Sequence, residues 1–289
     1  MTGKGGNKNR IFMIIKDVII PVINLKTICT LSVFILFILI WEGACHYLTI
    51  APYTLPAPHL ILASISGNAA GLLRAMMITL AEALLGFTVA IAFGFTAGCL
   101  FAHSQIAKHS FYPYMITLKA IPIIAIAPVL VTWFGDGILG KIIMAAIVAF
   151  FPVVVNTTIG LQAIDEHSLL LMHSYSASRW QIFTKLRLPN SLPYLLSAIK
   201  MASTMSILGA IIAEFVGSKQ GIGFVILLAT YHLDTPQLFA AILVTAFTSV
   251  GIFAAISFTE RLILSRFRFF LGKENTNSIP LKEIYGNTE

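Results

Sequence analysis

Apolar positions in this chain fall in long uninterrupted blocks separated by short polar stretches. Six blocks run to 20 residues or so: Thr27 to Leu48, Ile78 to Ala102, Pro113 to Phe134, Ile138 to Leu161, Leu192 to Phe215 and Leu238 to Leu264. A helix rises about 1.5 Å per residue, so each block matches a hydrocarbon core of about 30 Å. The pattern predicts an all-α integral membrane protein with about six transmembrane helices. Pro193 and Lys200 push the truly apolar part of the fifth block toward Met201 to Phe215. A single membrane domain then covers residues 27–268, between an N-terminal tail (1–26) and a C-terminal tail (269–289), with one long polar loop at about 162–191.

Two connections carry structure of their own. "APYTLPAPHLILASI" (Ala51 to Ile65) opens with prolines that forbid helix and then resumes an apolar period, which predicts a turn and a short surface helix. "EFVGSKQGIGFVILLATYHLD" (Glu214 to Asp234) places Gly217, Gly221 and Gly223 around a polar tip. Its apolar run is too short to cross, so it predicts a glycine-hinged loop and a re-entrant or surface helix.

Composition removes whole classes of function. Of 289 residues, 57% are apolar and 11% charged, and the mean hydropathy is +0.88, which leaves no room for a separate soluble enzyme domain. Cys29, Cys45 and Cys99 lie in or beside apolar runs without close Cys/His pairing, and read as packing residues rather than metal ligands. The first block is an anchor rather than a cleaved signal peptide: about 26 residues precede it, and no small-x-small site follows. With the N-terminus inside, fourteen of the 19 cations fall on inside stretches, while Arg74, Lys141 and Lys219 fall outside. The positive-inside rule therefore predicts both termini in the cytoplasm, and the same bias explains the net charge of +7 without nucleic acid.

Few motifs survive inspection. "GDGILGK" (Gly135 to Lys141) fits G-x-x-x-x-G-K, but Ile142 stands where a hydroxyl would hold magnesium, and the stretch links two membrane segments on the outer side. ATP binding by this chain is not expected. "NTT" (Asn156 to Thr158) matches a glycosylation acceptor but lies within the fourth block, and Gly94 and Gly98 form a G-x-x-x-G that reads as close helix packing. Ionisable groups within spans are functional candidates. Glu42, Lys119 and Lys200 read as interfacial side chains, whereas Glu82 and Glu214 are the two candidates for a central pathway. No spacing supports a catalytic residue.

"ASRWQIFTKLRLP" (Ala177 to Pro189) is a basic, aromatic interruption of this apolar chain, and topology puts it in the long inside loop. On a helix, Ile182, Phe183 and Leu186 share one face, flanked by Arg179 and Trp180, with Gln181, Thr184 and Lys185 opposite. Ser174, Ser176 and Ser178 offer N-caps, and Pro189 is expected to end the element. By periodicity alone this is a short amphipathic helix on the cytoplasmic side.

The wording of this stretch and its continuation, "ASRWQIFTKLRLPNSLPYLLSAIK", resembles the cytoplasmic loop signature of the membrane permeases of binding-protein-dependent ABC importers. That signature reads E-A-A, three residues, G, nine residues, then I-x-L-P. Leu186, Leu188 and Pro189 match its C-terminal end, whereas Leu170, Leu171 and Met172 replace E-A-A and Ser176 replaces the glycine. The glycine forms a turn between two helices, so Ser176 either takes up a strained conformation or the turn is rebuilt. "TLPAPHLILASI", "KAIPIIAIAPVLVTWFGDGILGKI", "AEFVGSKQGIGFVI" and "LDTPQLFAAIL" extend the likeness over nearly the whole chain, toward the permeases that serve nitrate, taurine, alkanesulfonates and thiamine-pyrimidine precursors.

The resemblance implies a type I importer permease fold (MetI-like) in a bacterial inner membrane, two permease copies forming the pathway, and an extracytoplasmic binding protein delivering a small solute. It also implies that a pair of ATPase subunits binds ATP and magnesium, so that this chain carries no cofactor and is not an enzyme. The docking element would be Ser174 to Leu186, with Arg179 and Lys185 making charge contacts and Trp180, Ile182 and Phe183 filling an apolar groove on the ATPase. "LDTPQLFAAIL" inclines the substrate toward a pyrimidine precursor or similar heterocycle, with sulfonate, taurine or nitrate as alternatives within the class. An ion-coupled secondary transporter, which would use Glu82 and Glu214 as paired acids, is the alternative from another class.

Overall fold

A computed structural model describes residues 25–270; the two expected tails lie almost wholly outside the described residues. Ten helices follow in order: α1 Leu25–Tyr47, α2 Pro58–Gly67, α3 Ala69–His103, α4 Gln105–Ala120, α5 Ile123–Phe134, α6 Ile138–Gln162, α7 Glu166–Ser174, α8 Arg179–Gly217, α9 Ile222–Tyr231 and α10 Thr235–Phe270. No strand occurs among the described residues. Five helices (α1, α3, α6, α8 and α10) are long and apolar enough to cross a bilayer.

The expected third crossing is divided. Ile121 adopts an extended conformation (φ −68°, ψ 128°) before Pro122, and α4 ends there. The physical reason is local: a proline's ring crowds the residue before it out of the helical region. The apolar run was continuous, but the backbone could not be. Elsewhere the spans exceed expectation. α3 is 35 residues long and starts well before Ile78, and the predicted short helices appear as α2, with Pro58 at its first turn, and α9.

α3, α6 and α8 form the centre of the fold, and small residues bring them together. A Cβ added at Gly94 would lie 2.8 Å from Val153 Cβ, and one at Gly98 would lie 2.5 Å from Thr157 Cβ. A Cβ at Gly209 on α8 would lie 2.8 Å from the Cα of Ala145 on α6. Between apolar helices in lipid there is little hydrophobic driving force, so dispersion at this close range supplies the attachment. Ala145, Ala149, Val153, Ala202 and Ala210 fill the seams and are buried. α2, α9 and α10 close over one end of α3 and α8 through Ile61, Leu72, Ile222 and Ala240. α1 is mostly exposed along its length, and near its C-terminal end Trp41 packs against Phe239 on α10 with ring centroids 6.0 Å apart.

Candidate functional site

The basic, aromatic stretch lies at the end of the bundle formed by the C-termini of α3 and α6. α7 ends in a hydrogen-bonded reversal: Ser176 N–H donates to His173 O at 2.9 Å and Ala177 N–H to Met172 O at 3.0 Å. These two bonds define a Schellman turn, whose pivot residue must be left-handed. That pivot is Ser176, at φ +53°. Of the two outcomes open to a serine at this place, the chain adopts the strained one.

Ser178 then caps α8 through a reciprocal box. Gln181 N–H donates to Ser178 Oγ at 3.3 Å, and Ser178 N–H donates to Gln181 Oε1 at 2.8 Å. Ser178 alone of the three serines does this, because Ser174 Oγ is turned back to Leu171 O. Pro189 does not end the element. Helix runs from Arg179 to Gly217 without a break, with a π-helical turn at Phe183–Arg187 immediately before Leu188 and Pro189. A proline within a helix removes a donor and crowds the carbonyl four residues back. One widened turn, in which Leu188 N–H reaches Phe183 O, accommodates it. The expected separate docking helix, Ser174 to Leu186, is therefore divided: Ser174 closes α7, and Arg179 to Leu186 form the first two turns of a spanning helix.

The side chains divide sharply. Trp180 is 71% exposed, and Arg179 and Lys185 are exposed beside it, as are Ser176 and Ser178. Exposed Leu170, Leu171 and Tyr175 lie on the preceding turns. Ile182, by contrast, is only 7% exposed and anchors the segment to its own chain, so it is not free to enter a partner's groove. Phe183 is half-buried between Trp180 (ring centroids 5.7 Å apart) and His103 at the end of α3 (5.3 Å). Ala177, Leu188 and Pro189 are half-buried. Asn190 donates to Ala163 O, tying α8 to the end of α6.

A second cluster lies near the other ends of these helices. Glu82 on α3 is 1% exposed and accepts from Lys141 Nζ on α6 at 2.8 Å. Glu214 on α8 is fully buried: its Oε1 accepts from Thr79 Oγ1 and its Oε2 from Gly223 N–H, both at 2.6 Å. Thr79 Oγ1 also accepts from Ile222 N–H at 2.8 Å. The first-turn amides of α9 are thus satisfied by α3 and α8. The two expected pathway acids are sealed inside one chain and organise the seat of the glycine-rich loop. Lys141, counted above as an outside cation, is 8% exposed and committed to Glu82, which also removes it from any phosphate-loop reading.

Other expected interfacial groups have partners too. Lys200 pairs with Glu260 on α10 and sits 5.5 Å from the centre of the Phe253 ring. Glu42 meets His59 at 2.6 Å; the side chain of Lys119 lies outside the described residues. In the α5–α6 turn, Asp136 pairs with Lys219 at 3.0 Å, and that hydrogen bond and charge hold its carboxyl below the usual carboxylate range. Thr79 was missed by sequence reasoning, although its place three residues before Glu82 puts both on one helix face.

A family model described as "binding-protein-dependent transport system inner membrane component" matches residues 90–269. The chain is 28% identical over 232 residues to a formylaminopyrimidine transport permease protein of Halalkalibacterium halodurans, covering 80% of this chain and 92% of that one. It is also 28% identical to a riboflavin transport system permease protein of Chloroflexus aurantiacus, covering 79% and 86%. It is 28% identical to an aliphatic sulfonates transport permease protein, designated putative, of Bacillus subtilis, covering 78% and 83%. In fold it is similar to a chain of the MetNI methionine ABC transporter in an inward-facing conformation, with TM-score 0.54 and 19% identity over 66% of this chain and 98% of that one.

Proposed function

This chain belongs to the family of inner-membrane components of binding-protein-dependent transport systems, and from that premise we propose that it forms the translocation pathway of an ATP-driven importer for a small heterocycle such as a thiamine pyrimidine precursor. Two of its relatives are named for formylaminopyrimidine and riboflavin, both heterocycles, which supports this choice; sulfonate, taurine and nitrate are the alternatives within the class, and a relative of equal identity is named for aliphatic sulfonates. Two copies pair around the pathway, an extracytoplasmic binding protein delivers the solute, and both termini face the cytoplasm. ATP hydrolysis resides on a separate pair of subunits.

The observation that carries the reading is the exposed Trp180, flanked by Arg179 and Lys185, on the first turn of a helix that continues unbroken to Gly217. Aromatic and Arg side chains are the usual anchors of an interface. A partner that holds this turn holds the end of a 39-residue lever, and its movement is delivered directly to a spanning helix. Phe183 transmits the same push to α3 through His103.

The test is reconstitution with the cognate ATPase. Trp180→Ala with Arg179→Ala should abolish substrate-stimulated ATP hydrolysis while the permease still inserts and melts normally. Undiminished coupling in that variant sinks the assignment. Uptake assays with the binding protein loaded by a pyrimidine, taurine or nitrate decide the substrate.

A further inference from the structure

We propose that Glu82 and Glu214 together bind one proton, shared between their carboxyl groups, so that the cluster they make with Lys141 is electrically neutral. The argument begins with charge. Two carboxyls and one ammonium, contributed by α3, α8 and α6, lie together in an interior where each is at most 8% exposed. With both acids ionised, the cluster would carry an uncompensated negative charge among apolar helices, a state that buried groups avoid by taking up a proton.

An independent observation says where the proton belongs. Glu82 Oε1 accepts from Lys141 Nζ, but Glu82 Oε2 is buried and has no partner. Glu214 is held against the same face of α3, by Thr79 one turn before Glu82, and both of its oxygens already accept, from Thr79 and from Gly223. Two ionised carboxylates offer only acceptors, so in a dry site neither can satisfy the other. A single proton between them turns one into a donor and completes the network. The proton so placed belongs to the pair rather than to either residue alone.

Among the described residues no other donor reaches Glu82 Oε2. α3 supplies Thr79 and Glu82, α6 supplies Lys141, α8 supplies Glu214, and α9 supplies the amides of Ile222 and Gly223. Lys141 also acts on Asp136, which is exposed in the α5–α6 turn and is paired with Lys219. The consequence is mechanical: the proton keeps Glu214 seated against α3, and Glu214 and Thr79 keep the first turn of α9 in place. The proposal stands on this cluster alone and does not depend on the transport reading.

Infrared spectroscopy of the full chain in phospholipid vesicles tests it. At neutral pH the wild-type protein should show a protonated-carboxyl C=O stretch that shifts on deuterium exchange. That band should vanish in Glu82→Gln and in Glu214→Gln, because each leaves one carboxylate balanced by Lys141. Should one single variant fail to insert, the other carries the assignment. Both single variants should melt close to wild type, and the double variant well below either, since Lys141 then has no counter-charge. Absence of the band in the wild type, its survival in both single variants, or a double variant as stable as the singles overturns the proposal.

Discussion

Gly221 holds a φ of +98° and a ψ of 168°, and the space that its side chain would occupy is filled by the carboxyl of Glu214. Gly223 is bound by the same group: a Cβ there would lie 2.8 Å from both Cβ and Oε2 of Glu214. The glycines of the "GSKQGIG" loop let backbone close around an acid, and only glycine tolerates the Gly221 conformation at low cost.

Gly221→Ala should therefore lose roughly 2–4 kcal/mol of stability, combining backbone strain with a steric collision. Thermal melting of the purified protein measures it. Adding Glu214→Ala removes the collision but not the strain, so the double variant should lose less than the sum of the two singles.

Ser176 sits where a Schellman turn demands a left-handed residue, at φ +53°. A non-glycine residue there costs about 1–2 kcal/mol. Ser176→Gly should raise stability by about 1 kcal/mol, read as an upward shift in melting temperature. A fall on substitution would show that the serine hydroxyl, rather than the backbone, governs this turn.

Pro189 and the π-helical turn before it form one unit. In Pro189→Ala the missing N–H returns and the turn should tighten to α-helix. Dropping one residue from the turn swings Arg179 and Trp180 by about 100° relative to the rest of α8. Coupled ATP hydrolysis should fall while melting temperature holds or rises. Spin labels placed on α7 and at position 180 would report the rotation as a changed distance.

Asp136 and Lys219 are both well exposed. The lowered value at Asp136 means that their pairing contributes stability above the ordinary carboxylate range, lost only as pH falls through the depressed value. Lys219→Ala should move the Asp136 titration, followed by isotope-edited NMR, back up toward the ordinary range. Melting at neutral pH should scarcely change, because solvent and salt screen such a pair.

Much of the candidate site was legible along the chain, and the failures have specific causes. The capping serine at 178 and the glycine pair at 94 and 98 are local signals, read over three or four residues. Pro189 misled because proline's cost is usually met by ending a helix, and a π turn that absorbs it leaves no mark in hydropathy. Ile182 misled because amphipathic spacing says which residues share a face but not whether that face meets its own chain or another. Lys141 was assigned to an outer loop by counting cations, a procedure blind to the acid on another helix that pairs with it.

The sequence by itself determined the membrane class, five of the six expected spans, the short helices after the proline and glycine turns, and the basic aromatic segment, because each rests on hydrophobicity or backbone chemistry within one stretch. Only the tertiary structure decided the partners of Glu82 and Glu214, the seat of α9 and the continuity of the basic aromatic segment with α8. Those depend on contacts between residues such as Thr79 and Glu214, or Glu82 and Lys141, that lie far apart in the chain. Close helix packing brings them together, and burial then decides which charges must pair.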